Sequence, residues 1–174
     1  MNNKDGKRRK GIRQITAIGV MFLFVLGGVP SPAWANSPHY LKATASFNPN
    51  TAEYSVTIKE AGLGTASSVT YTLNVSANFT VVCVNKGGNQ VQGEPKSGSG
   101  SATTQTTLPV HNGQTSGTIT VGPAAFTLPD PGCTGTQRLE ITAAQYFDVS
   151  LNDGLGTTSP SLPNLGGSGL SVII

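Results

Sequence analysis

Charge is scarce in this chain: 11 Lys and Arg and 8 Asp and Glu in 174 residues. Aromatic residues make up 6 %, and there are two cysteines, two methionines, one tryptophan and two histidines. Two histidines and two cysteines leave little material for a metal centre built on nitrogen and sulfur ligands. The formal net charge of +3 and pI near 9.0 would suit a nucleic-acid partner if the bases were spread over the fold. They are not. Lys4, Lys7, Arg8, Arg9, Lys10 and Arg13 crowd the first thirteen residues. From Asn36 onward five bases face seven acids, a net charge of −2, which removes the electrostatic case for nucleic acid.

The basic stretch leads into an uncharged apolar run, Ile15 to Val29, then Pro30-Ser31-Pro32 and Ala33-Trp34-Ala35. A basic start, an apolar run of about fifteen residues and a small-x-small end are the parts of a secretory signal. Positive charge holds the start on the cytoplasmic side, and the apolar run partitions into the bilayer. The prolines then keep the backbone extended for a peptidase that reads Ala33 and Ala35. Cleavage is expected between Ala35 and Asn36, giving a secreted chain with no membrane segment. The apolar run is short for a permanent anchor, which needs about 20 residues. Gly11 after Arg8-Arg9 spoils a twin-arginine signal, and no cysteine near residue 35 supports a lipoprotein.

The remaining 139 residues contain no Met and no Trp, but 35 Ser or Thr, 17 Gly and 9 Pro. No twelve-residue stretch has helical periodicity. Abundant Thr and Val with frequent turn residues indicate an all-β domain. Tyr54, Val56 and Ile58 alternate with Ser55, Thr57 and Lys59, the pattern of a half-buried strand. Val69, Tyr71, Leu73, Val75, Ala77, Phe79, Val81 and Cys83 hold one parity over a stretch long enough to predict a bend or bulge near Ser76 to Asn78, or a strand that crosses from one sheet to the other. Residues 85–101 are polar and Gly-rich and read as a long mobile loop. The segment from Ala102 to Val110 pairs in parity with Thr115 to Val121, a hairpin for which Pro109 favours a four-residue loop. Leu139, Ile141 and Ala143 alternate, as do Phe147, Val149 and Leu151.

Cys83 and Cys133 are expected to pair in an oxidising compartment. The fold class is therefore an antiparallel two-sheet sandwich, loosely immunoglobulin-like, with one disulfide. Its bounds are 1–35 for the signal, 36–153 for the sandwich and 154–174 for a Gly/Pro/Ser/Thr-rich tail. The tail's last residues, Leu170 to Ile174, could pair with a sheet edge of this chain or of a partner.

Catalytic, cofactor and metal sites are not expected. His39 lies behind Pro38 and His111 at a turn. A secreted hydrolase would need paired carboxylates. Glu53, Glu60, Glu140 and Asp148 offer the chemistry, but they read as solvated acids, with Glu53, Glu140 and Asp148 placed by parity away from the core. Asp148 to Gly154 resembles the start of a calcium loop without its Gly and Glu places. A stand-alone carbohydrate-binding module would have to turn Tyr40, Tyr146 or Phe126 outward together. Thr70/Thr72 and Thr118/Thr120 are too scattered to make a flat ice-binding array.

Ser37-Pro38-His39, Ala61-Gly62-Leu63-Gly64 and Cys83-Val84-Asn85 with Gly87-Gly88 resemble a group of small exported bacterial proteins. That resemblance implies export and a β fold, and it supplies no site residues. The expected role is non-catalytic binding or structure outside the cell, toward an unknown extracellular or cell-surface ligand.

Overall fold

A computed structural model describes residues 37–91 and 93–174. Ala33, Ala35 and Asn36, and with them the signal and its cleavage point, lie outside the described residues. Seven strands follow in order: β1 (His39–Asn48), β2 (Glu53–Ala61), β3 (Ser68–Val84), β4 (Lys96–Pro109), β5 (Gln114–Val121), β6 (Arg138–Asn152) and β7 (Leu165–Ile173). A single 3₁₀ turn, Pro123–Ala125, lies between β5 and β6.

The strands form two antiparallel sheets, β1-β2-β5 and β4-β3-β6-β7, packed face to face with Cys83 bonded to Cys133. The core is what the alternation of β2 and β3 requires. Tyr54, Val56 and Ile58 from one sheet meet Tyr71, Leu73, Val75 and Phe79 from the other, all sealed from solvent. Phe79 packs edge-on against Phe126 and Tyr146, with ring centroids 5.1 and 5.8 Å away. Tyr146 is also tied down at its polar end, donating to Ala52 O at 2.6 Å.

The outer faces carry hydroxyl and amide pairs. On β2 and β5, Ser55 bonds Thr120 and Thr57 bonds Thr118, each at 2.9 Å. On β3 and β4, five of the six rungs from Thr70·Thr107 to Thr80·Ser97 are hydrogen-bonded across the strands. Such cross-strand pairs are the polar counterpart of the packing within.

Several expectations change. No bend interrupts β3, which pairs with β4 from Ser68 to Val81 without a register shift. The irregularities lie on its other neighbour, β6, where Thr142 and then the Asp148-Val149 step are looped out of the ladder. Asp148 accordingly takes φ +51°. Ile141 pairs with Val81 on the core face and Glu140 pairs with Val82 on the other face, as alternation implies, but Glu140 is buried there and is not the solvated acid expected.

β4 and β5 do not pair as a hairpin: β4 joins β3, and β5 joins β2 in the opposite sheet. Only His111 and Gln114 bridge, around a two-residue turn in which Asn112 and Gly113 both have positive φ, 52° and 71°. Asn-Gly suits such a turn because both places need the left-handed region. The strands part before Pro109 would have to donate to a shared ladder.

Finally, the Gly-rich stretch before Leu170 is not a linker. β7 begins at Leu165 and pairs antiparallel with β6, burying Leu170 and Val172. The chain end therefore docks on its own sheet.

Candidate functional site

Of the acids singled out above, Glu53 sits at the start of β2 and bonds Thr51 Oγ1 at 2.8 Å. Asp148 is exposed on the β6 bulge. Neither approaches the other. Glu60 behaves differently. It continues the parity Tyr54, Val56, Ile58 and so points into the sandwich, where it is 0 % exposed.

Three elements close around it. Leu41 is an extra residue in β1, and this bulge sets Tyr40 opposite Glu60. Tyr71 on β3 donates its hydroxyl to Glu60 Oε2 at 2.5 Å. Thr157, in the link from β6 to β7, donates to Glu60 Oε1 at 3.3 Å. Asp153 stands beside them, 3 % exposed, and accepts the Leu155 N–H at 2.8 Å through Oδ1.

Burial pushes the Glu60 carboxyl above its ordinary range, against the donation from Tyr71, and Asp153 adds to the rise. For Asp153, burial acts upward, but the polar groups around it, Thr157 and the Leu155 N–H foremost, outweigh it and hold the group low. The two carboxyl groups are thus pushed in opposite directions, Glu60 toward the acid form and Asp153 toward the carboxylate. Among the described residues no N–H or hydroxyl reaches Asp153 Oδ2. Burial likewise raises the hydroxyl pKa values of Tyr40 and Tyr71, so both rings stay neutral.

Two carboxyls with opposed shifts are also the layout of an acid–base pair. Here, however, they are sealed. A surface groove of about 480 Å³ runs past Tyr40 and Thr157, with His39 and Lys42 on its rim, and neither acid lines it. The cluster fastens the β6–β7 link to β2. Tyr54 does the same further along, donating to Pro163 O at 2.9 Å.

The histidines lie apart from this cluster. His39 Nδ1 bonds Ser37 O at 2.8 Å, and His111 belongs to the Asn112-Gly113 turn. The calcium-like stretch is a pair of turns, with Asn152 Oδ1 accepting Gly154 N at 2.6 Å and Asp153 Oδ1 accepting Leu155 N. The aromatics do not form an outward platform. Tyr146 is fully buried, Phe126 nearly so, and Tyr40 turns its hydroxyl inward. This overturns sugar stacking on those three rings.

The opposite end of β3 carries the disulfide. Cys83 is joined to Cys133 with a Cα–Cα distance of 5.4 Å. A formed disulfide marks an oxidising, non-cytoplasmic environment. It draws two loops together. The first is shorter and more ordered than its composition implies. Asn85 Oδ1 accepts the amides of Gly87 and Asn89, Val91 N returns to Cys83 O at 2.9 Å, and β4 resumes at Lys96. The second, Asp130 to Gln137, is held by Gly132 N on Asp130 Oδ1 and Thr134 N on Gln137 Oε1. Between them lies a cavity of about 160 Å³ walled by Val91, Gly93 and Glu94 on one side and Pro131, Thr134 and Gln137 on the other.

Parity alone could have found Glu60. Nothing in the sequence points to Asp153 or Thr157, which reach Glu60 only through the course of the β6–β7 link. No family model matches the chain, and no curated protein matches it.

Proposed function

We propose that this chain is a secreted, non-catalytic β-sandwich protein that binds an extracellular or cell-surface ligand through the paired loops at its disulfide end. The reading is carried by one observation: Cys83–Cys133 clamps two ordered, polar loops into a shared concave surface on a rigid two-sheet scaffold. Recognition residues concentrate on loops held in this way. The basic and apolar start with Ala33, Ala35 and Asn36 at its end supports export.

The strand order supports the loosely immunoglobulin-like reading. β1, β2 and β5 take the places of strands A, B and E, and β4, β3, β6 and β7 those of C′, C, F and G. The disulfide departs from that pattern, because it links the end of β3 to the loop before β6 within one sheet's ladder.

The export step is tested by mass spectrometry of the culture supernatant. The expected species begins at Asn36 and gains the mass of two hydrogens on reduction. An intact Met1 form in the membrane fraction would sink the export claim. Ligand binding is tested by incubating labelled protein with the producing cells. Replacing residues 86–94 by a Gly/Ser loop should abolish retention while leaving the melting temperature within a few degrees. Unchanged retention would remove the paired loops as the binding surface.

A further inference from the structure

A sheet edge exposes a row of unpaired backbone groups, and folded proteins blunt such edges with bulges, charge, proline or shortness. Three of the four edges here are blunted. β1 has the Leu41 bulge followed by Lys42. β7 breaks register against β6, with Gly169 at φ +68°. β5 has eight residues and turns away at both ends.

β4 is different. It runs for 14 residues in unbroken register with β3, about 44 Å of ladder at 3.4 Å per residue. Between Lys96 and Pro109 it contains no charge and no proline. Among the described residues, no backbone hydrogen bond joins Ser97–Leu108 to anything but β3. Its side chains are small: Gly98 and Gly100 face inward, and Ser97, Ser99 and Ser101 face out, so the backbone is open to a neighbour.

We infer that β4 is a self-association edge, at which a second copy of this chain pairs antiparallel to form one continuous eight-stranded sheet from two sheets of four. The sequence of β4 matches itself about Ala102. Residues directly opposite each other must share a face, so an axis through a residue is required. The axis at Ala102 gives the longest ladder that leaves Pro109 outside. It sets Ser101 opposite Thr103 of the second copy, Ser99 opposite Gln105, and Ser97 opposite Thr107. Those rungs repeat the hydroxyl and amide pairs already made between β3 and β4. Lys96 falls opposite Leu108, so no like charges meet. The contact is isologous and closes at two copies.

Size-exclusion chromatography with light scattering on the purified protein tests this. The wild-type chain should move from the monomer mass to twice that mass as concentration rises through the micromolar range. Ser101→Lys with Thr103→Lys places two lysines opposite each other at each of two rungs, on side chains that are exposed in the single copy. That variant should stay monomeric, as should Ser101→Glu with Thr103→Glu. Mixing the two variants should restore the doubled mass. A wild-type chain that stays monomeric throughout overturns the inference. So does a lysine variant that dimerises like wild type, or a mixture that remains monomeric.

Discussion

At one end of β3 the sandwich is closed by a covalent bond, and at the other by a buried pair of acids. Cys83 and Tyr71 lie twelve residues apart on the same strand, about 40 Å at 3.4 Å per residue. The disulfide end joins two loops and leaves a surface between them. The Glu60–Asp153 end joins β2, β3 and the β6–β7 link, and leaves no carboxylate at the surface. The contrast separates two jobs that are often confused. A cysteine pair restrains the chain even when it is unfolded, whereas a buried acid pair acts only in the folded state and only at a suitable pH. Redox and pH should therefore act on the two ends independently.

The largest effect is expected from the covalent end. Cys83→Ala with Cys133→Ala frees a loop with a sequence separation of 50. Chain-entropy arithmetic puts the loss at about 4 kcal/mol, to be read from urea unfolding. The pH dependence of what stability remains should be unchanged. If it shifts as well, the ends are coupled.

Next comes Tyr71→Phe, which strips Glu60 Oε2 of its donor inside the core. Leaving a buried acceptor unpaired costs about 1–3 kcal/mol. This loss should be the same with and without reductant, once the smaller starting stability of the reduced protein is allowed for.

The pH response is subtler. Glu60 has a raised folded pKa, so its contribution is complete below the ordinary glutamate range and is lost as pH rises through the folded value. Asp153 is lowered, so its contribution is present above the ordinary aspartate range and is lost as pH falls through the folded value. Together they give a maximum near the ordinary carboxylate range and a decline as pH rises above it. Far higher, the buried Tyr54 hydroxyl, pushed up to about 12, adds a further alkaline loss. Glu60→Gln keeps a neutral donor beside Asp153 and should flatten the decline between mildly acidic and neutral pH. Melting curves across that range that superimpose on wild type would contradict the raised Glu60 carboxyl.

The smallest change belongs to the outer rungs. Thr57→Ala removes one exposed bond to Thr118 and should alter stability by no more than about 0.5 kcal/mol. A larger loss would mean that the polar ladders, and not the two ends, set the stability of the sandwich.

Legibility in the sequence follows the same division. Strict alternation made β2 and β3 readable, because each buries one face, β3 as far as Val81. Cysteine count and export chemistry made the disulfide readable. β6 was harder, since two bulges reset its parity, and Glu140 is buried although it lies beside Val82 on the face away from the core. β7 was hidden by composition: its glycines read as linker, yet Gly166 lies so close to the β6 backbone that a Cβ there would fall 2.2 Å from Ala144 O. Matching parities also suggested a β4–β5 hairpin, although the two strands enter different sheets. Parity records which face is buried and says nothing of which strand lies alongside.

β7 holds its place on β6 in two short grips. Leu165 to Ser168 pairs with Ala143 to Tyr146, and Val172 and Ile173 pair with Ile141 and Glu140. Between them three residues of β7 face the single Thr142, so the seam divides there. The first grip relies on glycine at Gly166, where a side chain has no room, and the second on the buried Leu170 and Val172. One strand is thus fastened at one end by closeness of backbone and at the other by apolar contact.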